Sequence, residues 1–365
     1  MRQKPVDTQR FIYLFFLATL LAFTSCKKDK NQPAPSSAKP VSVGLIQFGN
    51  NNNKRLFIPI TKIGTQNVNY FGVFDTGSSG MTMDANGLLP ASMINSSGIT
   101  VTGDSVVING ITVTSQQAVI SFGDKLNSTK EYGNLAYAAI TVGDANGNLV
   151  LKRVPFFLYY KITDGKGNQL PAHSSDVFGV GPGTNYASNT IASPLSYPIP
   201  EAGLTKGFRL ALLNNSGFST TGTYVAGLLK VGLTAADLTS NSFVLHPLTY
   251  YTSGGYSPNI PATITYNGIS TAALVLFDTG TPSVTLIEDP KATTGVGSLP
   301  ANSTVKVVTN QGFTYQYNTT AASNLTAVQN PNNTGDYRTI FSIDFFINNE
   351  FLSDYTNHKI GLKNN

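Results

Sequence analysis

Phe74-Asp75-Thr76-Gly77-Ser78 returns 203 residues later as Phe277-Asp278-Thr279-Gly280-Thr281. Each copy ends a run of strand-forming residues, Tyr70-Phe71-Gly72-Val73 before the first and Ala273-Leu274-Val275-Leu276 before the second. An apolar strand that turns sharply at Asp-Thr-Gly sets a carboxylate at the mouth of a loop, with backbone N–H groups nearby to orient it. One such triplet is an ordinary strand-ending turn with Gly at a positive φ, expected by chance about once in 10⁴ residues. Two copies, with a shared preceding Phe and a following hydroxyl residue, point instead to two carboxylates brought face to face from two halves of one molecule. Carboxyl groups that close share a proton, since both cannot ionise together. One then serves as base and the other as acid on a water held between them.

The 365 residues are 41% hydrophobic and only 12% charged, with abundant Gly, Ser, Thr and Asn. That composition predicts a folded, mostly β chain long enough for two lobes. The net charge of +5 is a mild basic bias. Beyond residue 30 no Lys/Arg cluster interleaved with aromatics occurs, so nucleic acid is not an expected partner.

Residues 1–25 read as an export signal to be set apart from the fold. Arg2, Lys4 and Arg10 form a basic start, and Phe11 to Phe23 an apolar core too short to span a bilayer. The core ends in Phe23-Thr24-Ser25-Cys26, where Cys26 is the only cysteine. This resembles a bacterial lipoprotein signal, with Phe23 in place of the usual Leu, and implies lipidation of Cys26. Residues 26–40, rich in Lys, Pro, Ser and Asn, read as a tether. Its residues 27–40 reach ~45 Å when extended.

From Val41 onward short alternating strands are broken by Gly, Asn and Ser. Asn109-Gly110, Asn146-Gly147 and Asn267-Gly268 are hairpin-closing pairs. Leu204, Phe208 and Leu212, spaced by four, predict one short helix within residues 200–213. The lobes are expected at 41–199, with the first loop, and 200–365, with the second.

Across residues 41–363 the chain resembles the pepsin-like, bilobal aspartic peptidases. Beyond the two loops, Ile120-Ser121-Phe122-Gly123 followed by Gly133-Asn134-Leu135-Ala136-Tyr137 resembles the family's flap hairpin and its return strand. Ser175-Asp176-Val177-Phe178-Gly179-Val180-Gly181 resembles the apolar segment that packs against the first catalytic loop. Gly227-Leu228-Leu229-Lys230-Val231-Gly232, Ile340-Phe341-Ser342 and Lys359-Ile360-Gly361-Leu362 follow in the family's order. The resemblance implies a two-lobed acid-protease fold with Asp75 and Asp278 as the catalytic pair. Thr76 and Thr279 would bond across to the opposite loop, and Gly77 and Gly280 would leave room for N–H groups to reach the carboxylates. Ser78 and Thr281 would donate to the outer carboxylate oxygens. Phe122 and Gly123, or Tyr132, would form the flap tip. An extended peptide or unfolded protein is the implied substrate, with a lipid-anchored monomer at the membrane.

Departures from the family pattern concern substrate fit. The protein has no Trp, and Phe122 stands where the flap carries a Tyr that usually meets one. Losing both partners of a hydrogen bond together is nearly neutral. Pro282 and Ser342 replace a Ser and a Gly around the second loop. His173, His246 and His358 are isolated singlets, so neither a metal nor another cofactor is expected. The other reading of the same sequence is a pepsin-fold binding protein that grips a peptide without cutting it.

Overall fold

A computed structural model describes residues 38–50, 53–125, 128–144, 147–184, 191–239, 243–293 and 297–365. The export signal, Cys26, most of the tether and Asn146 lie outside the described residues. Residues 38–365 form one compact unit.

Period-two burial produces the strands. In Ile260–Tyr266, Ile260, Ala262, Ile264 and Tyr266 face inward while Pro261 and Thr263 face water. Asn109-Gly110 and Asn267-Gly268 close two-residue hairpins with both residues at positive φ, 53° and 76° in the first and 47° and 83° in the second. Those angles match the twist of the flanking strands.

Two large sheets result, of 14 and 8 strands. In the larger, Val41–Phe48 lies between Arg55–Ile63 and Thr223–Leu233. Beyond Thr223–Leu233 come Thr205–Leu210, Asn349–Asp354, Lys359–Asn364 and Val244–Pro247. On the other side run Gln66–Asp75, Val177–Val180, Ser79–Asp84, Gly147–Asp164, Ser128–Asp144, Ile111–Gly123 and Ser105–Ile108. This sheet therefore draws strands from both sides of residue 200. The eight-stranded sheet, built from residues 260–341, carries the second loop.

The helix expected within residues 200–213 is a strand instead, Thr205–Leu210, paired with Thr223–Leu233 and Asn349–Asp354. A spacing of four is also a multiple of two, so the apolar spacing of Leu204, Phe208 and Leu212 fits a regular strand as well as a helix. Burial of Phe208 and Leu210 against the neighbouring strands decides for the sheet.

Both Asp-Thr-Gly loops leave the same local frame. Gln66–Asp75 is antiparallel to Arg55–Ile63 and parallel to Val177–Val180, with Phe178 opposite Phe74 and Gly179 opposite Asp75. Ile269–Phe277 is antiparallel to Ile260–Tyr266 and parallel to Arg338–Phe341, with Phe341 opposite Phe277. The loops are tied to these partners in matching fashion: Gly181 N–H donates to Ser78 O at 2.7 Å, and Ile343 N–H to Thr281 O at 3.0 Å. Gly179 is required by close approach, since a Cβ there would lie 2.5 Å from Gly80 O.

A buried line of rings runs beneath the two loops. Phe74 packs edge-on to Phe208 at 5.7 Å, and Phe208, Phe351, Phe346, Phe345 and Phe277 continue it with centroid spacings of 6.0, 5.7, 5.2 and 4.2 Å. Each offset or edge-on pair adds about 0.5–1.5 kcal/mol beyond its area. The Phe preceding each Asp thus anchors its loop to one continuous core.

Candidate active site

The two loops bond to each other through their threonines. Thr76 Oγ1 donates to Phe277 O at 2.8 Å and accepts from Thr279 N–H at 3.0 Å. Thr279 Oγ1 donates to Phe74 O at 2.5 Å and accepts from Thr76 N–H at 3.1 Å. Both threonines are buried, with 2% and 0% of their surface exposed, so water cannot replace these bonds.

Each carboxylate is held in the same way. Gly77 N–H donates to Asp75 Oδ1 and Gly280 N–H to Asp278 Oδ1, both at 2.7 Å. Ser78 Oγ donates to Asp75 Oδ2 at 2.5 Å, and Thr281 Oγ1 to Asp278 Oδ2 at 2.6 Å. A Cβ on Gly77 would lie 2.6 Å from Asp278 Cγ, and one on Gly280 equally close to Asp75 Cγ. Any side chain at either glycine would displace the opposite carboxylate. The two carboxyl groups lie within hydrogen-bonding reach of each other, only 9% and 8% exposed. Burial, then the charge of Asp278, holds the Asp75 carboxyl well above the usual carboxylate range, against the pull of Ser78 and Gly77. In this geometry the pair keeps a proton into conditions where an exposed aspartate is ionised.

Neighbouring segments fix both loops. Asp278 N–H donates to Phe341 O at 2.9 Å, and Val73 N–H to Asp176 O at 2.9 Å. Asp176 is a buried hub: Oδ1 accepts from Asp84 N–H at 2.9 Å and Tyr159 OH at 2.8 Å, and Oδ2 meets His173 Nδ1 at 2.9 Å. Beside it, burial raises the Glu131 carboxyl well above its ordinary range. Ser342, buried, donates its N–H to Thr285 Oγ1 at 3.3 Å, and Pro282 O accepts from Val284 N–H.

The hairpin of Ile111–Gly123 and Ser128–Asp144 pairs Gly123 with Ser128, Phe122 with Thr129 and Val119 with Tyr132. Phe122 and Gly123 therefore flank the tip. Tyr132 sits further down the return strand, its ring under Lys161 Nζ at 5.1 Å. Phe122 packs on a cluster of Ile120, Leu135, Phe157, Tyr159, Ile162 and Ile191. At the tip, Lys125 N–H donates to Thr334 O at 3.1 Å, so the hairpin reaches residues beyond the second loop.

Two neighbours of the pair escaped the sequence reading. Lys54, 1% exposed, forms an ion pair with Asp344 at 2.6 Å, and its N–H donates to Ser283 Oγ at 3.3 Å. Arg55, next along the chain, is half-buried and feels the charges of both Asp278 and Asp75. Burial lowers its guanidinium below the ordinary value while the two aspartates pull it back up. The three histidines are held apart: His173 meets Asp176, His246 Nε2 meets Thr309 Oγ1 at 2.8 Å, and His358 stacks on Tyr256 at 3.6 Å. Among the described residues no group of three His, Cys, Asp or Glu side chains is placed to hold a metal ion.

By sequence, no family model and no curated relative matches. Solved structures do. An aspartic proteinase from Irpex lacteus is 16% identical with a TM-score of 0.55, over 88% of this chain and 97% of that one. The basic 7S globulin of soybean is 13% identical with a TM-score of 0.53, over 89% and 96%. Conglutin gamma, a basic 7S globulin from lupine seeds, is 13% identical with a TM-score of 0.54, over 90% and 96%. At such identities the likeness is one of fold, and it spans nearly the full length of each structure. The chain has the mostly β, two-lobed fold of the pepsin-like aspartic proteinases.

Proposed function

We propose that the protein is an aspartic endopeptidase that hydrolyses extended peptides with Asp75, Asp278 and a water between them. The observation that carries this reading is the matched support of the two carboxylates, down to a threonine cross-lock that serves no lone turn. The ionised member takes a proton from the water as its oxygen attacks the scissile carbonyl carbon. The protonated member gives its proton to the carbonyl oxygen. Collapse of the tetrahedral diol breaks the C–N bond as a proton passes to the departing amine. No covalent intermediate shares the work, so catalysis rests on preorganised geometry. An extended peptide would be gripped partly through backbone hydrogen bonds. We further propose that Cys26 is lipidated and holds a monomeric globule at a membrane after export; the lipoprotein-like signal supports this.

A second reading, a binding protein on the same scaffold, is favoured by two observations. Two of the structural neighbours are described as globulins, and Phe122 replaces the flap tyrosine of the resembled family. A digest of a denatured protein from acid to neutral pH separates the readings. The purified full chain should cut it, Asp75→Asn and Asp278→Asn should not, and a statine-type inhibitor should suppress the cutting. The same peptides from all three proteins would reject the pair as catalytic.

A further inference from the structure

Arg55 opens the strand Arg55–Ile63, opposite Phe48. Its predecessor Lys54 is committed twice, through its N–H to Ser283 Oγ at 3.3 Å and through Nζ to Asp344 at 2.6 Å. Ser283 lies two residues beyond Thr281, so the start of this strand is stitched to the second catalytic loop. Successive side chains of an extended chain point to opposite sides. With Lys54 turned into the interior, Arg55 faces the other way, where the charges of Asp278 and Asp75 act on it.

A half-buried guanidinium is ordinarily matched by a carboxylate. No described acid lies within ion-pair distance of Arg55, whereas Lys54, Arg209 and Arg338 all have such partners. Its hydrogen bond runs from Nη1 to Lys54 O at a long 3.4 Å. Among the described residues, that leaves most of a five-donor planar fork unfilled beside the two aspartates. The fork suits the two oxygens of a carboxylate.

We propose that Arg55 is a specificity residue that binds a carboxylate of the substrate peptide, in the subsite flanking Asp278. This rests on the peptide-binding reading of the cleft, shared by enzyme and binder alike. The carboxylate comes from a Glu or Asp side chain or from the peptide's C-terminus.

The test is binding, so that it holds whether or not the chain cuts. Octapeptides with a central hydroxyethylene isostere, which cannot be cleaved, carry Glu or Gln at each flanking position in turn. A second set carries a free or amidated C-terminus. Calorimetry on the purified full chain at low salt should show one position, internal or terminal, at which the carboxylate binds about tenfold tighter than its amide. Arg55→Gln should abolish that ratio while leaving the affinity for the amide peptide within about twofold, and Arg55→Lys should restore part of it. Equal affinities for carboxylate and amide at every position, a ratio that survives Arg55→Gln, or no binding of any peptide to the parent overturns the proposal. The digest with the aspartate variants decides hydrolysis separately, so a failed digest and a failed Arg55 assignment are told apart.

Discussion

Replacing Thr279 by Ala tests the cross-lock at its most exposed assumption, that two backbone groups depend on one hydroxyl. The change removes the acceptor of Thr76 N–H at 3.1 Å and the donor to Phe74 O at 2.5 Å, in a spot with no surface exposed at Thr279. A buried polar group left without its partner costs about 1–3 kcal/mol, and the lost methyl adds about 1 kcal/mol. With two such groups stranded, Thr279→Ala should therefore lose about 3–7 kcal/mol, whereas Thr279→Ser, which keeps the hydroxyl, should lose about 1 kcal/mol. At roughly 2 °C per kcal/mol for a chain of this size, the Ala variant should melt about 6–14 °C below the parent. The lock is reciprocal, so Thr76→Ala should match Thr279→Ala within about 0.5 kcal/mol. Urea denaturation and calorimetric melting of the four proteins give the values. If the peptidase reading holds, kcat should fall about 10²-fold in both Ala variants, because the loops drift from the reacting geometry. Equal stability of the Ala and Ser variants, or strongly unequal costs at the two threonines, would refute the reciprocal lock.

Other expectations follow from single contacts. Because the folded protein holds the Asp75 proton more tightly than the unfolded chain, stability is greater in acid and declines as pH rises from the ordinary carboxylate range to the raised one. Asp75→Asn removes that term, so its stability relative to the parent should grow by up to about 1.4 kcal/mol per pH unit across that window; parallel urea curves from pH 3 to 8 would contradict it. Lys54→Met strands Asp344, which among the described residues keeps Asn324 N–H at 3.0 Å, and should cost about 3–5 kcal/mol. Adding Asp344→Leu should recover part of the loss, and strictly additive costs in denaturant would argue against a coupled pair. Cys26→Ser should move the protein from the membrane to the soluble fraction on cell fractionation, and unchanged retention would count against lipidation.

The paired loops were legible because their signal is local and repeated: a strand, an Asp-Thr-Gly turn and a hydroxyl, twice. The apolar segment at 177–181 was legible for the same reason, since its glycines answer a close approach to the loop it packs on. The strand at Thr205–Leu210 was not, because a four-residue apolar spacing satisfies both periods and only its neighbours arbitrate. Lys54 and Asp344 stand 290 residues apart, and nothing near Lys54 in the chain distinguishes it from a solvated lysine after an Asn run. Asp176 lay inside a motif read for its glycines and apolar pair, so its role as a hub for Asp84, Tyr159 and His173 went unseen. Arg55 carried no signal of its own; its position became informative only once the strand start was seen stitched to Ser283. Tyr132 could be placed relative to the hairpin tip only by the register, which the sequence between Gly123 and Ser128 does not reveal.

A crystal structure of the full chain with a statine-type peptide bears most directly on whether Asp75 and Asp278 act as one catalytic unit. The inhibitor's secondary hydroxyl should sit within ~3 Å of a carboxylate oxygen of each residue, with Gly77 and Gly280 still donating to the inner oxygens. A peptide bound elsewhere, or carboxylates turned away from a shared hydroxyl, would contradict it.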